Sequence, residues 1–287
     1  ARVLAEHFGV VLDAFAIMEE AHGGTPNSRN VRVLPPRRVV KRLASGGPCC
    51  QVVEAARRAQ HLGVPFPAYV CTARGPVVEM DGWAWTTTDY CDGTHFAGDR
   101  ETFLALARTV GEDVRALAEI PGDLLLARPI IGAAEWSWVE RAAPFAFRHL
   151  REVQAALPRL QALPLRTTHI DLHPHNLLCA DGKVTALLDP ASLQRAPWAT
   201  ALGYAAYKLT RQHLVAEGGD PVEAAAAFCS AAEVEDAEIL WLGAKAEMLR
   251  RIATIAEAGD RGDHTWRADF DAHIRALHEI DAMRKSA

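Results

Sequence analysis

The chain has 287 residues and a formal net charge of −5, with 49% hydrophobic and 23% charged residues. That length and apolar content suffice for one large domain or two lobes, and the acidic balance, with no long Lys/Arg run, argues against a nucleic-acid binder. No apolar run approaches the roughly 20 residues that span a bilayer, the N-terminal segment carries Glu6 and Asp13 in place of a basic-then-apolar signal, and the six cysteines lack paired metal spacing, which fits reduced thiols in a cytoplasmic protein.

Val3, Leu4, Phe8, Val11, Leu12, Phe15 and Ile17 recur at helical intervals, so a first helix is expected over 2–20. The stretch from His22 to Ser28 breaks it. Its Gly23-Gly24 pair reads as a turn or as a place where backbone amides approach phosphates. Strands follow around Val31–Val33 and over Val39–Leu43, the second carrying Lys41, and 49–62 reads as a helix containing Glu54. Tyr69–Ala73 and Pro76–Met80 are strand-like, Asp81-Gly82 is a hairpin turn, and Trp83–Tyr90 is a strand. An amphipathic helix is expected over 99–119, ended by Pro121-Gly122, then a less regular stretch holding Trp136 and Trp138, then a helix over 144–161. After residue 189, helices are expected at 199–216, 221–231, 234–258 and 264–284.

The chemistry concentrates between these blocks, in Thr168-His169-Ile170-Asp171-Leu172-His173-Pro174-His175-Asn176-Leu177-Leu178 and in Val184–Asp189 beyond an Asp181-Gly182 turn. Three histidines, one carboxylate and one carboxamide fall within eight residues, and a short apolar strand ends on a second Asp. Phosphoryl transfer uses such a set: a carboxylate beside the acceptor hydroxyl, and an amide oxygen with a second carboxylate to hold Mg²⁺ against nucleotide phosphates. The bland alternative for Asp171 is a turn or N-cap aspartate, and on local sequence Lys41 and Glu54 read as surface charges; the downstream loop makes the functional reading.

His-Ile-Asp-Leu-His-Pro-His-Asn, with an Asp closing the next hairpin, resembles the catalytic core of the aminoglycoside phosphotransferase and choline kinase-like families, small-molecule relatives of the protein kinases. The resemblance covers about residues 22–210. It implies an α+β, bilobal protein-kinase-like fold: an N-terminal nucleotide-binding lobe over 1–92, with an antiparallel sheet plus a helix, and a mostly helical catalytic and substrate lobe over 93–287. It implies an ATP- or GTP-dependent, Mg²⁺-dependent transfer of the γ-phosphate to a small-molecule hydroxyl. Asp171 would be the catalytic base, Asn176 and Asp189 the metal ligands, and His169 a brace for the loop. Lys41 paired with Glu54 would hold the α- and β-phosphates, Gly24 and Asn27 would belong to the nucleotide-covering loop, and Asp89-Tyr90-Cys91-Asp92-Gly93 would be the hinge, with the Asp89 carbonyl and the Cys91 amide on adenine.

Departures stand beside the match. A full Gly-x-Gly-x-x-Gly is missing, Pro190-Ala191 follows Asp189 where relatives have an aromatic residue, and Ala201–Ala206 lacks the Asp that many relatives carry there. The acceptor is left open among aminoglycosides, sugars and amino alcohols, as is the choice between antibiotic resistance and metabolism, and between a monomer and a homodimer. Asp260, Asp263, Asp269, Asp271, Glu279 and Asp281 would make either an acidic wall for a cationic acceptor or a solvated helix face. Two rivals remain: a nucleotide-binding pseudokinase, and a metal-dependent hydrolase built on His169, Asp171 and His173, against which Pro174 breaks the required strand.

Overall fold

The computed structural model describes residues 7–8, 17–25, 28–34, 37–44, 49–73, 75–265 and 267–284. A five-stranded sheet comes first, in the order β1-β2-β3-β5-β4, from β1 (Ile17–Thr25), β2 (Ser28–Leu34), β3 (Arg38–Ala44), β4 (Val77–Met80) and β5 (Trp83–Asp89). Every pairing is antiparallel, and α1 (Cys49–His61) turns Cys49 and Val53 toward Ala84 of the sheet. Residues 17–20 are therefore strand, not the end of a helix: Ile17–Ala21 pairs in register with Asn30–Leu34. The apolar spacing that suggested a helix is compatible at this end with a strand, and pairing with β2 decides it. Most of the rest of that expected helix, and Asn27, lie outside the described residues. Gly24 falls where the β1–β2 ladder shifts register between Ala21 and Thr25. Tyr69–Ala73 makes only isolated bridges, Tyr69 to Thr88 and Thr72 to Gly75, whereas Asp81 and Gly82 adopt the positive φ angles (53° and 75°) of a tight hairpin turn.

From β5 the chain passes through Tyr90–Gly93 to β6 (Thr94–His95) and into helices: α2 (Arg100–Ala118), α3 (Ala133–Ala142), α4 (Phe147–Gln161), α5 (Trp198–Glu217), α6 (Pro221–Ala231), α7 (Ala237–Asp260) and α8 (Arg267–Arg284). Asp99 caps α2 through Thr102 N–H at 2.8 Å, and Asp236 caps α7 through Ile239 N–H at 2.9 Å. The stretch with Trp136 and Trp138 is a helix after all, started by the Glu135 carboxylate accepting the Gly132 N–H at 3.0 Å and anchored by buried Trp136 and Val139. Helix α7 carries the centre of the core: Leu240, Trp241, Met248, Leu249 and Ile252 are all at most 1% exposed.

This region is not purely helical beyond its catalytic hairpin. Strand β7 (Leu165–His169) pairs antiparallel with β10 (Leu193–Pro197), and β6 pairs with β8 (Leu177–Ala180), which pairs in turn with β9 (Lys183–Leu187). Gly93 has φ 143°, and a Cβ there would lie 2.8 Å from Thr185 Oγ1, so the link from sheet to helices fits tightly against β9. The fold is mixed α+β, with a small antiparallel sheet and a mostly helical remainder, as the sequence motif implied.

Candidate active site

The β7 strand, a 3₁₀ turn at Pro174–Asn176 and the β8–β9 hairpin bring Asp171, Asn176 and Asp189 together. His169 is fully buried and fastens this frame. Its Nδ1 accepts the Asp171 N–H at 3.3 Å, so Nε2 carries the proton and donates to the carbonyls of Leu188 and Asp189, each at 3.0 Å. Burial pushes its pKa down, more than the neighbouring Asp189 and Asp171 raise it. A neutral imidazole with three backbone partners positions the loop rather than reacting. The Leu188 N–H donates to the Asn176 carbonyl at 2.8 Å, closing the frame from the other side.

Asn176 Nδ2 donates to the Asp171 carbonyl at 2.8 Å and lies 3.3 Å from Asp171 Oδ2. His173 Nδ1 accepts the His175 N–H at 3.3 Å, and its Nε2 lies 3.4 Å from Asp171 Oδ2 and 3.2 Å from Asn176 Nδ2. The other carboxylate oxygen, Oδ1, accepts from Arg251 Nη2 at 2.9 Å. Burial opposes the charge on Asp171, but His173, Arg251 and His169 outweigh it and hold the carboxyl well below the ordinary range. It is an anion at every working pH.

Asp189 sits in the left-handed region (φ 55°, ψ 60°), a conformation that an aspartate tolerates better than most residues. Ser192 Oγ donates to its Oδ2 at 2.7 Å, and Lys41 on β3 reaches its Oδ1. Burial raises its pKa, but Lys41 and Ser192 bring it below the usual value. Lys41 is thus brought into the site, while Glu54 is not its partner. Glu54 accepts from Arg58 at 2.9 Å and lies 3.8 Å from Arg57, one turn along its own helix. The Asp189 carboxylate takes the lysine, and the neighbouring arginines take the glutamate.

In the link, the Asp89 N–H donates to the Ala68 carbonyl at 2.8 Å and the Tyr90 N–H to the Arg37 carbonyl at 3.2 Å. The Asp89 side chain pairs with Arg38, its cross-strand neighbour, and Asp92 with Arg37.

Three residues of the site carry no signal in the sequence: Ser192, Glu247 and Arg251. Arg251 also donates to the Ile170 carbonyl at 3.1 Å, lies 4.0 Å over the Tyr204 ring and binds Glu247 at 2.8 Å. Glu247, only 4% exposed, also accepts from Arg128 at 2.7 Å and Arg250 at 3.2 Å. No local spacing links α7 to the loop; only an Arg-Arg pair one turn after a Glu marks it. Of the six acidic residues at 260–281, three are tied to partners of their own. Glu279 is held by Tyr207 at 2.6 Å and Arg211 at 3.1 Å, Asp281 by Lys245, and Asp263 by its own turn at Thr265. His169, Asp171 and His173 do not make a metal cluster. Among the described residues only His149, Glu152 and Asp281 bring ligand atoms within 4.8 Å of one another, and Lys245 already bridges those two carboxylates.

A small antiparallel sheet over a helical region, with His-x-Asp, Asn and a second Asp at their junction, defines a protein-kinase-like phosphotransferase. The sequence pattern of the phosphotransferase enzyme family matches residues 19–238, so the chain belongs to that family and acts as a phosphotransferase on hydroxyl groups of small molecules. A search of curated proteins finds no match. Solved structures with the same fold include the GDP complex of aminoglycoside 2′-phosphotransferase-IIIa (TM-score 0.68, 13% identity, covering 98% of this chain and 96% of that one). Spectinomycin phosphotransferase with ADP and spectinomycin is similar (0.65, 10%, 99% and 93%), as is amicoumacin kinase in complex with AMP-PNP, Ca²⁺ and Ami (0.64, 14%, 92% and 88%). Among the described residues no helix is long and apolar enough to cross a membrane.

Proposed function

We propose that this protein transfers the γ-phosphate of ATP or GTP to a hydroxyl of a small molecule, in the class of aminoglycosides, sugars and amino alcohols, with residues 1–92 as the nucleotide lobe and 93–287 as the catalytic and acceptor lobe. The observation that carries this reading is the His169 brace, which ties the Asp171 loop to Asp189 and leaves Asp171, Asn176, Asp189 and Lys41 in one site. Nucleotides in the complexes of the similar structures support it.

Asp171, permanently ionised, orients the acceptor hydroxyl and takes its proton as the bond to phosphorus forms. Phosphoryl transfer of dissociative character asks mainly for alignment, so a weakly basic carboxylate suffices. Asn176 Oδ1 and the Asp189 carboxylate are hard oxygen donors of the type Mg²⁺ takes, and the Leu188–Asn176 bond keeps them adjacent. Bound there, Mg²⁺ would neutralise charge on the nucleotide phosphates. Lys41 lies against the same carboxylate and serves the phosphates as a point charge. Gly24 of β1 covers the phosphates, Asn27 is assigned to the same role, and the Asp89 carbonyl and Cys91 N–H meet the base. We place this activity in the cytoplasm, where the nucleotide is supplied.

The test is ATP and GTP consumption with Mg²⁺ against aminoglycosides, amino sugars, hexoses and amino alcohols, with Asp171→Ala as control. Acceptor-dependent turnover lost in the variant supports the reading. A protein that binds neither nucleotide in a thermal-shift assay defeats it.

A further inference from the structure

Helix α5 places Tyr204, Tyr207, Lys208 and Arg211 on one face, at the three- and four-residue steps that align side chains along a helix. Tyr204 of that face meets Arg251 of α7, Tyr207 and Arg211 meet Glu279 of α8, and the helix itself touches the Pro174–Asn176 turn. Two of its polar groups are satisfied: Arg211 and Tyr207 share the Glu279 carboxylate. Lys208 is not. Among the described residues no carboxylate pairs with it, and its ammonium rests between the rings of Tyr204 and Tyr207, at 5.5 and 5.8 Å. Burial pushes its pKa down, and the charges of Arg251 and Arg211 add to that, against smaller opposing effects of Asp171 and Asp269.

Around it the charges do not cancel. Arg251 also lies over the Tyr204 ring, 4.0 Å from its centre, and pairs with Asp171. Three guanidiniums, those of Arg128, Arg250 and Arg251, divide the single Glu247 carboxylate. The wall beside Asp171 therefore carries more cation than anion, with one ammonium half-buried and unclaimed. A polycationic acceptor would meet like charge on that wall, where a bound oxyanion would complete it.

We propose that Lys208 receives an oxyanion, a carboxylate or a phosphate, carried by the acceptor itself, so that the alcohol phosphorylated at Asp171 is anionic. This rests on the phosphotransferase reading and narrows its acceptor class.

The test is calorimetric titration of the full chain, saturated with ADP and Mg²⁺, with glucose, glucosamine, glucuronate and glucose 6-phosphate. The expected result is binding of one or both anionic sugars about tenfold or more tighter than glucose or glucosamine, a preference lost in Lys208→Gln and kept in Lys208→Arg. Glucuronate alone would identify a carboxylate, glucose 6-phosphate alone a phosphate. Glucose or glucosamine binding as tightly as the anions, no sugar binding at all, or a preference surviving in Lys208→Gln overturns the proposal. So does a Lys208→Gln effect confined to ADP, which would assign the lysine to the nucleotide. The ADP titration separates the two readings: ADP bound without an anion preference sinks only this inference, whereas no ADP binding sinks both.

Discussion

Arg251 on α7 lies 80 residues from Asp171 and donates to its carboxylate at 2.9 Å and to the preceding carbonyl, Ile170 O, at 3.1 Å. The guanidinium therefore sets both the charge and the direction of the residue proposed to align the acceptor, and Glu247 and the Tyr204 ring hold it in turn. Arg251→Met should lower kcat tenfold or more. It should also destabilise the protein by roughly 1–3 kcal/mol, since Asp171 loses its guanidinium partner while His173 stays beside it, and Glu247 keeps Arg128 and Arg250. Lysine cannot reproduce the fork of contacts, so Arg251→Lys should recover only part of either loss. Steady-state kinetics and urea midpoints on the two variants check this; a full recovery by lysine would reduce Arg251 to a point charge.

Asp171→Asn keeps the side-chain shape and removes the charge. If Asp171 accepts the acceptor proton, kcat should fall by about 10²- to 10⁴-fold while KM for ATP changes little, because Asn176, Asp189 and Lys41 remain. His169→Gln should instead lower kcat and stability together, by about 1–3 kcal/mol for the latter, since it disrupts three buried backbone contacts. Parallel kinetic and melting measurements distinguish the two patterns.

The sequence reading was strongest where residues close in the chain act together. Asp171, Asn176 and Asp189 belong to one turn and one hairpin, so the spacing that marks them also brings them together, and the helix expected at 221–231 is found at Pro221–Ala231. Lys41 reached the site as expected, but its partner did not, because an ion pair is settled by which charges lie nearest and Glu54 has two arginines on its own helix. Arg251 and Lys208 were illegible for a related reason. They come together only where α5 crosses α7, and no sequence period encodes that crossing. Residues 17–20 are strand for a reason of their own: apolar spacing near Ile17 fits helix and strand alike, and only pairing with β2 decides.

Asp113 on α2 gives a pH signature independent of the active site. It is 4% exposed, its Oδ2 has no hydrogen-bond partner, and burial with Glu112 alongside pushes its pKa up to about 7. The folded state therefore keeps a proton that the unfolded chain gives up near pH 4, so this residue's effect on stability worsens as pH rises from about 4 to 7 and stays at its full cost above. A shift of that size corresponds to a few kcal/mol, on the order of 4 at most. Asp113→Asn should raise the urea midpoint at pH 8 and leave it nearly unchanged at pH 4. An equal effect at both values would remove the titration from the explanation.

The α5–α7 crossing that brings Tyr204 to Arg251 depends on two glycines. A Cβ on Gly203 would lie 2.7 Å from the Ala244 amide nitrogen and closer still to the Leu240 carbonyl, and one on Gly243 would run into the Ala199 carbonyl of the opposite helix. All of these neighbours are backbone in helix interiors, which cannot yield as a side-chain end can. Alanine in place of an exposed helical glycine would gain about 1 kcal/mol. Here the steric term wins, because separating the helices also opens the packing of Trp241 and Tyr204, at 1% and 3% exposure. Gly243→Ala should destabilise by roughly 1–3 kcal/mol and lower kcat more than it changes KM for ATP, since the helices that separate carry Arg251 and Lys208 rather than Lys41. A Gly243→Ala protein as stable as the parent would mean that the two helices do not meet this closely.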